Sequence, residues 1–171
     1  MSTRKSPRHE PHRLDYGSHV SLLAWAAANS GGTIVEFGAG FWSTPILRRI
    51  AGNRQVISYE RDPDWAEAVG GCELCVRPWE MDIPEDTGLV FIDCDSPDNR
   101  HEGRAEIAER LKATGYMGLV VAHDVKPKFS RYYTALQAFN SRWEDEKIWP
   151  PTGIYTDQEV DFAAIPGFAG F

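Results

Sequence analysis

The chain has 171 residues and a formal net charge of −7, close to the usual size of one domain. Hydrophobic residues make up 42% and charged residues 25%, which excludes a disordered or fibrous chain, and no apolar run approaches the roughly 18 residues of a membrane span. Residues 1–13 carry Arg4, Lys5, Arg8 and Arg13 against Glu10, a net of +3 that leaves −10 for the rest, so nucleic acid is a disfavoured partner for the body.

The polar, basic start from Met1 to Arg13 lacks the apolar core of a secretory signal, and the expectation is a cytoplasmic protein. Residues 1–13 read as a disordered basic tail and residues 14–171 as a single domain. Cys72, Cys75 and Cys94 are an odd set without a signal, hence reduced structural thiols. Cys72 and Cys75 have C-x-x-C spacing but fall in a predicted strand, where i and i+3 face opposite sides.

In chain order, Ser18 to Asn29 places Leu22, Leu23, Ala26 and Ala27 on one helical stripe. Thr33-Ile34-Val35-Glu36-Phe37 is a β-branched run that stops at Gly38, a first strand. Thr44 is the expected cap of the next helix and Pro45 its first position, with Ile46, Leu47 and Ile50 buried. Gln55 to Tyr59 is a second strand, and Asp62-Pro63 opens a helix that Gly70-Gly71 ends. Glu73 to Val76 is a weak third strand, followed by Arg77 to Thr87, too rich in proline and acid for a helix. Gly88 to Ile92 is the continuous apolar run of a central parallel strand. Glu102 to Lys112 is a helix with Ile107, Ala108 and Leu111 inward, and Met117 to Ala122 a fifth strand. Phe129, Tyr132, Tyr133, Leu136 and Phe139 mark a buried helix face. Ile154 to Thr156 and Val160 to Ala164 flank Asp157-Gln158-Glu159 as a closing antiparallel hairpin at one sheet edge. This alternation predicts an α/β fold: a doubly wound, Rossmann-like, mostly parallel sheet with helices on both faces.

In such a sheet the ligand sits beyond the carboxyl ends of the strands. Those ends are Glu36-Phe37-Gly38-Ala39-Gly40, Glu60, Pro78-Trp79-Glu80, Asp93-Cys94-Asp95 and His123-Asp124. Gly38 and Gly40 let the backbone turn sharply and approach a ligand, and the helix beginning near Pro45 aims its free N–H groups at that turn. Glu60 can accept both hydrogen bonds of a ribose diol. Together these indicate a nucleoside ligand.

Ile34-Val35-Glu36-Phe37-Gly38-Ala39-Gly40 resembles the first motif of class I S-adenosylmethionine-dependent methyltransferases, which places an acid two residues before the first glycine. With Ser43-Thr44 it also resembles small bacterial and phage methyltransferase-like proteins of unassigned acceptor. The resemblance spans about residues 16 to 165. It implies that Glu36, Phe37 and the Gly38, Ala39, Gly40 backbone with Ser43 hold the methionine part of S-adenosylmethionine. Glu60 then holds the ribose, Trp79 flanks adenine, and Asp93 lies nearest the sulfonium and the acceptor. The implied activity is methyl transfer to a small molecule, at oxygen. A protein of this fold that binds the donor without transferring is the alternative. A nicotinamide-dependent oxidoreductase is a weaker one, since those domains usually lack the acid and their third glycine position is Ser43 here.

In catechol-type O-methyltransferases an acid after strand four and an Asp-Asn pair after strand five bind a divalent ion such as magnesium. Asp93 matches the first, and His123-Asp124 replaces the pair, with histidine shifting the preference toward transition metals. Asp93, His123 and Asp124 are therefore the expected catalytic residues and candidate metal ligands. A general-base role for His123 and a plain hydrogen bond to a neighbouring backbone group stay open beside it. Asp93-Cys94-Asp95-Ser96 does not resemble the motif with which amino-methylating nucleic-acid enzymes cradle a base. In a chain without an inserted lid, the acceptor site must come from Tyr16 to His19, Asp95 to His101, the segment after Asp124, or a second subunit of a homo-oligomer.

Overall fold

The computed structural model describes residues 17–96, 101–145 and 149–165; the tail expected over 1–13 and Tyr16 lie outside them. The elements are α1 (Val20–Ala28), β1 (Thr33–Phe37), α2 (Ser43–Ala51), β2 (Val56–Glu60), α3 (Pro63–Val69), β3 (Glu73–Leu74), β4 (Thr87–Ile92), α4 (Glu102–Ala113), β5 (Leu119–His123), α5 (Ser130–Gln137), β6 (Ser141–Asp145) and β7 (Thr152–Thr156). They form one seven-stranded sheet in the order β3-β2-β1-β4-β5-β7-β6. The first five strands pair in parallel, while β7 runs antiparallel to both β5 and β6.

The apolar runs of β1, β4 and β5 feed both faces by alternation, because successive side chains point to opposite sides of a strand. Val35, Phe37, Val90, Ile92, Val120 and Ala122 pack on the side of α4 and α5 with Leu111, Tyr132 and Leu136. Ile34, Leu89, Phe91, Leu119 and Val121 pack on the side of α1 and α2 with Leu22, Leu23 and Leu47. Each such side chain contributes about 1.5–3 kcal/mol on burial. The aromatic face expected on the last helix is present, with Tyr132, Leu136 and Phe139 fully buried. The chain moves outward from β1 through β2 to β3, then crosses back to β4. Strand direction of travel thus reverses between β1 and β4, which is where an open α/β sheet leaves a crevice.

Two local expectations are corrected. The closing hairpin exists, but its partner strand is Ser141–Asp145 and not Val160 to Ala164. With β5 on one edge and β6 on the other, β7 has no edge left to pair, and the Asp161 carboxylate accepts the Ala163 N–H to form a 3-10 turn instead. Thr44 does not cap α2, which starts at Ser43 without a side-chain cap. Its hydroxyl donates to Glu36 Oε2 at 2.7 Å and accepts the Gly40 N–H at 3.0 Å, because a buried carboxylate has the stronger claim on a nearby donor. Asp62 caps α3 as expected, accepting from Asp64 N and Trp65 N.

Candidate active site

A cleft of about 420 Å³ opens at the carboxyl ends of β1, β2, β4 and β5. Its first half is made by backbone. Gly38 holds φ +93°, and a Cβ there would stand 2.7 Å from the Asp93 carbonyl and the Cys94 nitrogen, so only glycine fits between β2 and β4. Gly40 and Ser43 lie beyond it on the cleft wall, where a Cβ on Gly40 would meet Ser43 Oγ at 2.9 Å. The Trp65 indole donates to the Ala39 carbonyl at 2.6 Å, and Phe41 meets its ring edge-on at 4.8 Å, giving the turn an aromatic flank. Glu60 Oε1 accepts the N–H groups of Arg61 and Asp62 at 2.7 and 2.9 Å, which orients the carboxylate on the cleft floor. Burial pushes its pKa up, against those two hydrogen bonds.

Of the residues the resemblance assigned to the donor, Gly38, Ala39, Gly40, Ser43, Glu60 and Asp93 line the cleft. Glu36, Phe37 and Trp79 lie behind it. Glu36 is fully buried under the turn and braces it through Thr44; burial pushes its carboxyl up to about 7, opposed by the hydroxyls of Ser43, Ser58 and Thr44. Phe37 stacks on Tyr59 inside the core. The Trp79 ring presses on Gly103 of α4, where an added Cβ would stand 2.6 Å from it.

The second half is made by charge. Arg104, on the inner face of α4 and 1% exposed, donates to the Cys94 carbonyl at 2.8 Å, the His123 carbonyl at 3.0 Å and the Asp93 carbonyl at 3.2 Å. It also pairs with Asp93 at 2.9 Å, Asp95 at 3.0 Å and Asp124 at 3.4 Å. A single guanidinium therefore ties the ends of β4 and β5 together. Asp124 sits at φ 58°, a conformation aspartate tolerates, and Lys126 holds its other oxygen at 3.1 Å. His123 Nδ1 faces Asp93 Oδ1 at 3.0 Å while its Nε2 faces Ser18 Oγ at 3.0 Å. Burial pushes the Asp93 carboxyl up, but His123 and Arg104 outweigh it and hold it well below the usual range. Arg104 in turn is raised by these carboxylates despite its burial. His19 completes the wall, its ring 4.9 Å from that of His123.

These contacts bear on the ion-binding set that the resemblance implies. Asp93 and His123 meet, but Arg104 and Lys126 take up Asp124 from both sides, so Asp93, His123 and Asp124 do not offer an oxygen-rich nest to magnesium. Arg104, Lys126 and Trp65 were not among the residues expected at the site. A signal for Arg104 exists in the sequence: it lies four and seven residues before Ala108 and Leu111, a cation on a helical stripe that should be apolar. At the mouth, the Lys126 ammonium lies 3.9 Å from the exposed Trp149 ring centroid.

No protein-family model matches the sequence, and no curated protein matches it. Solved structures match its fold. The S-adenosylhomocysteine-bound Podospora anserina methyltransferase superposes with a TM-score of 0.63 at 10% identity, over 90% of this chain and 83% of that one. An O-methyltransferase from Bacillus cereus in complex with S-adenosylhomocysteine gives 0.59 at 16% identity, over 84% and 81%. A putative O-methyltransferase from Klebsiella pneumoniae gives 0.57 at 19% identity, over 89% and 84%. The fold is thus the one these methyltransferases share. Among the described residues no helix is long and apolar enough to cross a membrane.

Proposed function

We propose that the chain transfers a methyl group from S-adenosylmethionine to an oxygen of a small-molecule acceptor. The observation that carries this reading is the juxtaposition in one cleft of a glycine turn a Cβ would fill, the Glu60 carboxylate, and the Asp93–His123 pair. When bound, S-adenosylmethionine supplies an electrophilic methyl on a sulfonium. The start of α2, which has no side-chain cap, receives the methionine carboxylate through its backbone N–H groups, while the N–H groups of Gly38 and Gly40 are held by the Tyr59 carbonyl and the Thr44 hydroxyl and shape the turn beneath it. Glu60, its Oε1 already anchored, accepts from the ribose hydroxyls. Trp65 and Phe41 wall the donor. Asp93 and His123 receive the acceptor oxygen and set it in line with the methyl, so the protein acts chiefly by positioning. Asp124 positions Arg104 and takes no part at the reacting atoms. The three free cysteines, Cys72, Cys75 and Cys94, support a reducing, cytoplasmic setting.

Calorimetric titration with S-adenosylmethionine, its demethylated product and NAD tests the assignment. The first two are expected to bind in the micromolar range and NAD not at all, and Gly40→Val is expected to abolish binding by filling the cradle. Silence toward both sulfur nucleosides, or unchanged affinity in Gly40→Val, overturns it. Binding without turnover on any hydroxylated acceptor would leave a donor-binding protein of the same fold.

A further inference from the structure

His19 is 3% exposed, yet neither of its ring nitrogens has a hydrogen-bond partner. Leaving a polar group buried and unpaired is costly, and such a group in a folded protein calls for a ligand. The ring is backed by Phe91 at 4.9 Å, stands edge-on to His123, and lines the cleft. One nitrogen of His19, one nitrogen of His123 and one oxygen of Asp93 all lie within 4.8 Å of one another. His123 Nδ1 and Asp93 Oδ1 are 3.0 Å apart, and two donors each about 2.1 Å from one ion also stand about 3 Å apart when they meet it at a right angle.

We propose that His19, Asp93 and His123 form a binding site for a divalent transition metal. Two imidazoles and one carboxylate suit zinc, iron, cobalt or manganese, whereas magnesium demands oxygens. The donor set differs from the one the family resemblance implies: Arg104 and Lys126 take one oxygen each of Asp124, whereas Arg104 and His123 both meet the same oxygen of Asp93, and a histidine from the segment ahead of α1 takes the place of Asp124. All three residues line the cleft. Ser18 Oγ, 3.0 Å from His123 Nε2, accepts the proton on that nitrogen and so turns the lone pair of Nδ1 toward the ion. The site rests on the methyl-transfer reading only for its use. An ion held there would favour the ionised form of an acceptor oxygen, which assigns His123 the ligand role among the three the sequence left open.

The test is direct metal binding. The full chain is stripped with a chelator and titrated separately with Zn(II), Co(II) and Mg(II), by calorimetry and by the visible spectrum of the cobalt form. One equivalent of zinc and of cobalt is expected, with no heat from magnesium. Removing an outer-shell partner alone weakens such sites about 10–100-fold, so His19→Phe, which keeps the packing against Phe91, is expected to weaken binding at least about 100-fold and to change the cobalt bands. Its affinity for S-adenosylhomocysteine should stay within about twofold, which also shows that the variant is folded. No uptake of zinc or cobalt by the wild type, equal uptake by His19→Phe, or magnesium bound as tightly as zinc overturns the site. Because ion and nucleoside are titrated separately, loss of one reading leaves the other standing.

Discussion

The two halves of the cleft are built from different materials. At the ends of β1 and β2 the ligand-facing groups are backbone and a single anchored carboxylate, set by a contiguous strand, turn and helix. At the ends of β4 and β5 they are buried and half-buried charges drawn from α4, β5 and the residues that follow β4 and β5, gathered around Arg104. The first half is limited by volume, since the space beside Gly38 has no room for one more carbon. The second is limited by charge balance, since three carboxylates, two of them partly exposed to the cleft, share one buried guanidinium. A methyl added should break the first, and a charge removed should break the second.

The largest effect is expected at Arg104. Removing one partner of a buried ion pair costs about 3–5 kcal/mol, and Arg104→Met strands Asp93, Asp95 and Asp124 together. Urea unfolding at neutral pH should show a loss in that range, shrinking in acid as the carboxylates protonate. A loss below about 1 kcal/mol would mean that water reaches the cluster. Next comes Gly38→Ala, where a positive φ and a backbone contact at 2.7 Å together should cost about 2–3 kcal/mol and the donor site with it. Gly40→Ala meets only the rotatable Ser43 hydroxyl. It should cost less than about 1 kcal/mol in stability while still weakening S-adenosylhomocysteine binding. Equal stability losses in the two glycine variants would show that the turn is rigid throughout.

The same contrast explains what could be read from the sequence. The parallel sheet, its strand ends and the glycine turn follow from apolar runs and glycines a few residues apart, so local pattern was enough. Glu36 and Trp79 were legible as motif residues but not as buried ones. Whether a strand-end carboxylate faces a ligand or a threonine depends on the start of α2, eight residues on. The edge strand Ser141–Asp145 was hidden because Arg142, Glu144 and Asp145 carry the polar pattern of a loop, and only pairing with β7 makes it a strand. The arginine hub was the least legible feature. Its partners lie 9 to 20 residues away and meet it only once β4 and β5 are adjacent.

Glu36 offers a charge test inside the volume-limited half. Its folded pKa of about 7 lies above the ordinary 4.5, so the folded state binds the proton more tightly than the unfolded chain. Stability from this group therefore falls as pH rises from about 4.5 to about 7 and stays low above that, a total near 3 kcal/mol. Glu36→Gln removes the ionisation and should gain about 1–2 kcal/mol at about pH 8, less than the total because the amide satisfies its neighbours imperfectly. At about pH 4, where the wild-type carboxyl is protonated, the same imperfect fit should leave the variant about 1–2 kcal/mol less stable than the wild type. A variant less stable than the wild type at alkaline pH would mean that the carboxylate is better solvated than its burial implies.

The smallest effect is expected from Arg131, a second arginine with more than one carboxylate partner. Arg131 on α5 pairs with Glu109 through two nitrogens at 2.9 and 2.7 Å and also reaches Glu102, so by count its ion pairs rival those of Arg104. Its side chain, however, is 46% exposed. Exposed pairs are screened and contribute about 0–1 kcal/mol. Arg131 holds the Glu109 carboxyl below its usual range, so the contribution is present near neutral pH and lost as pH falls through that depressed value. Arg131→Ala should therefore cost less than about 1 kcal/mol at neutral pH, and nothing measurable in about 1 M salt, where the screening length shrinks to about 3 Å. Arg104→Met should keep most of its cost in the same salt, because the guanidinium itself is buried and buried pairs are screened much less. If the two arginines lost stability equally, or if salt erased both, burial would not be what distinguishes the charged half of the cleft, and partner number alone would account for it.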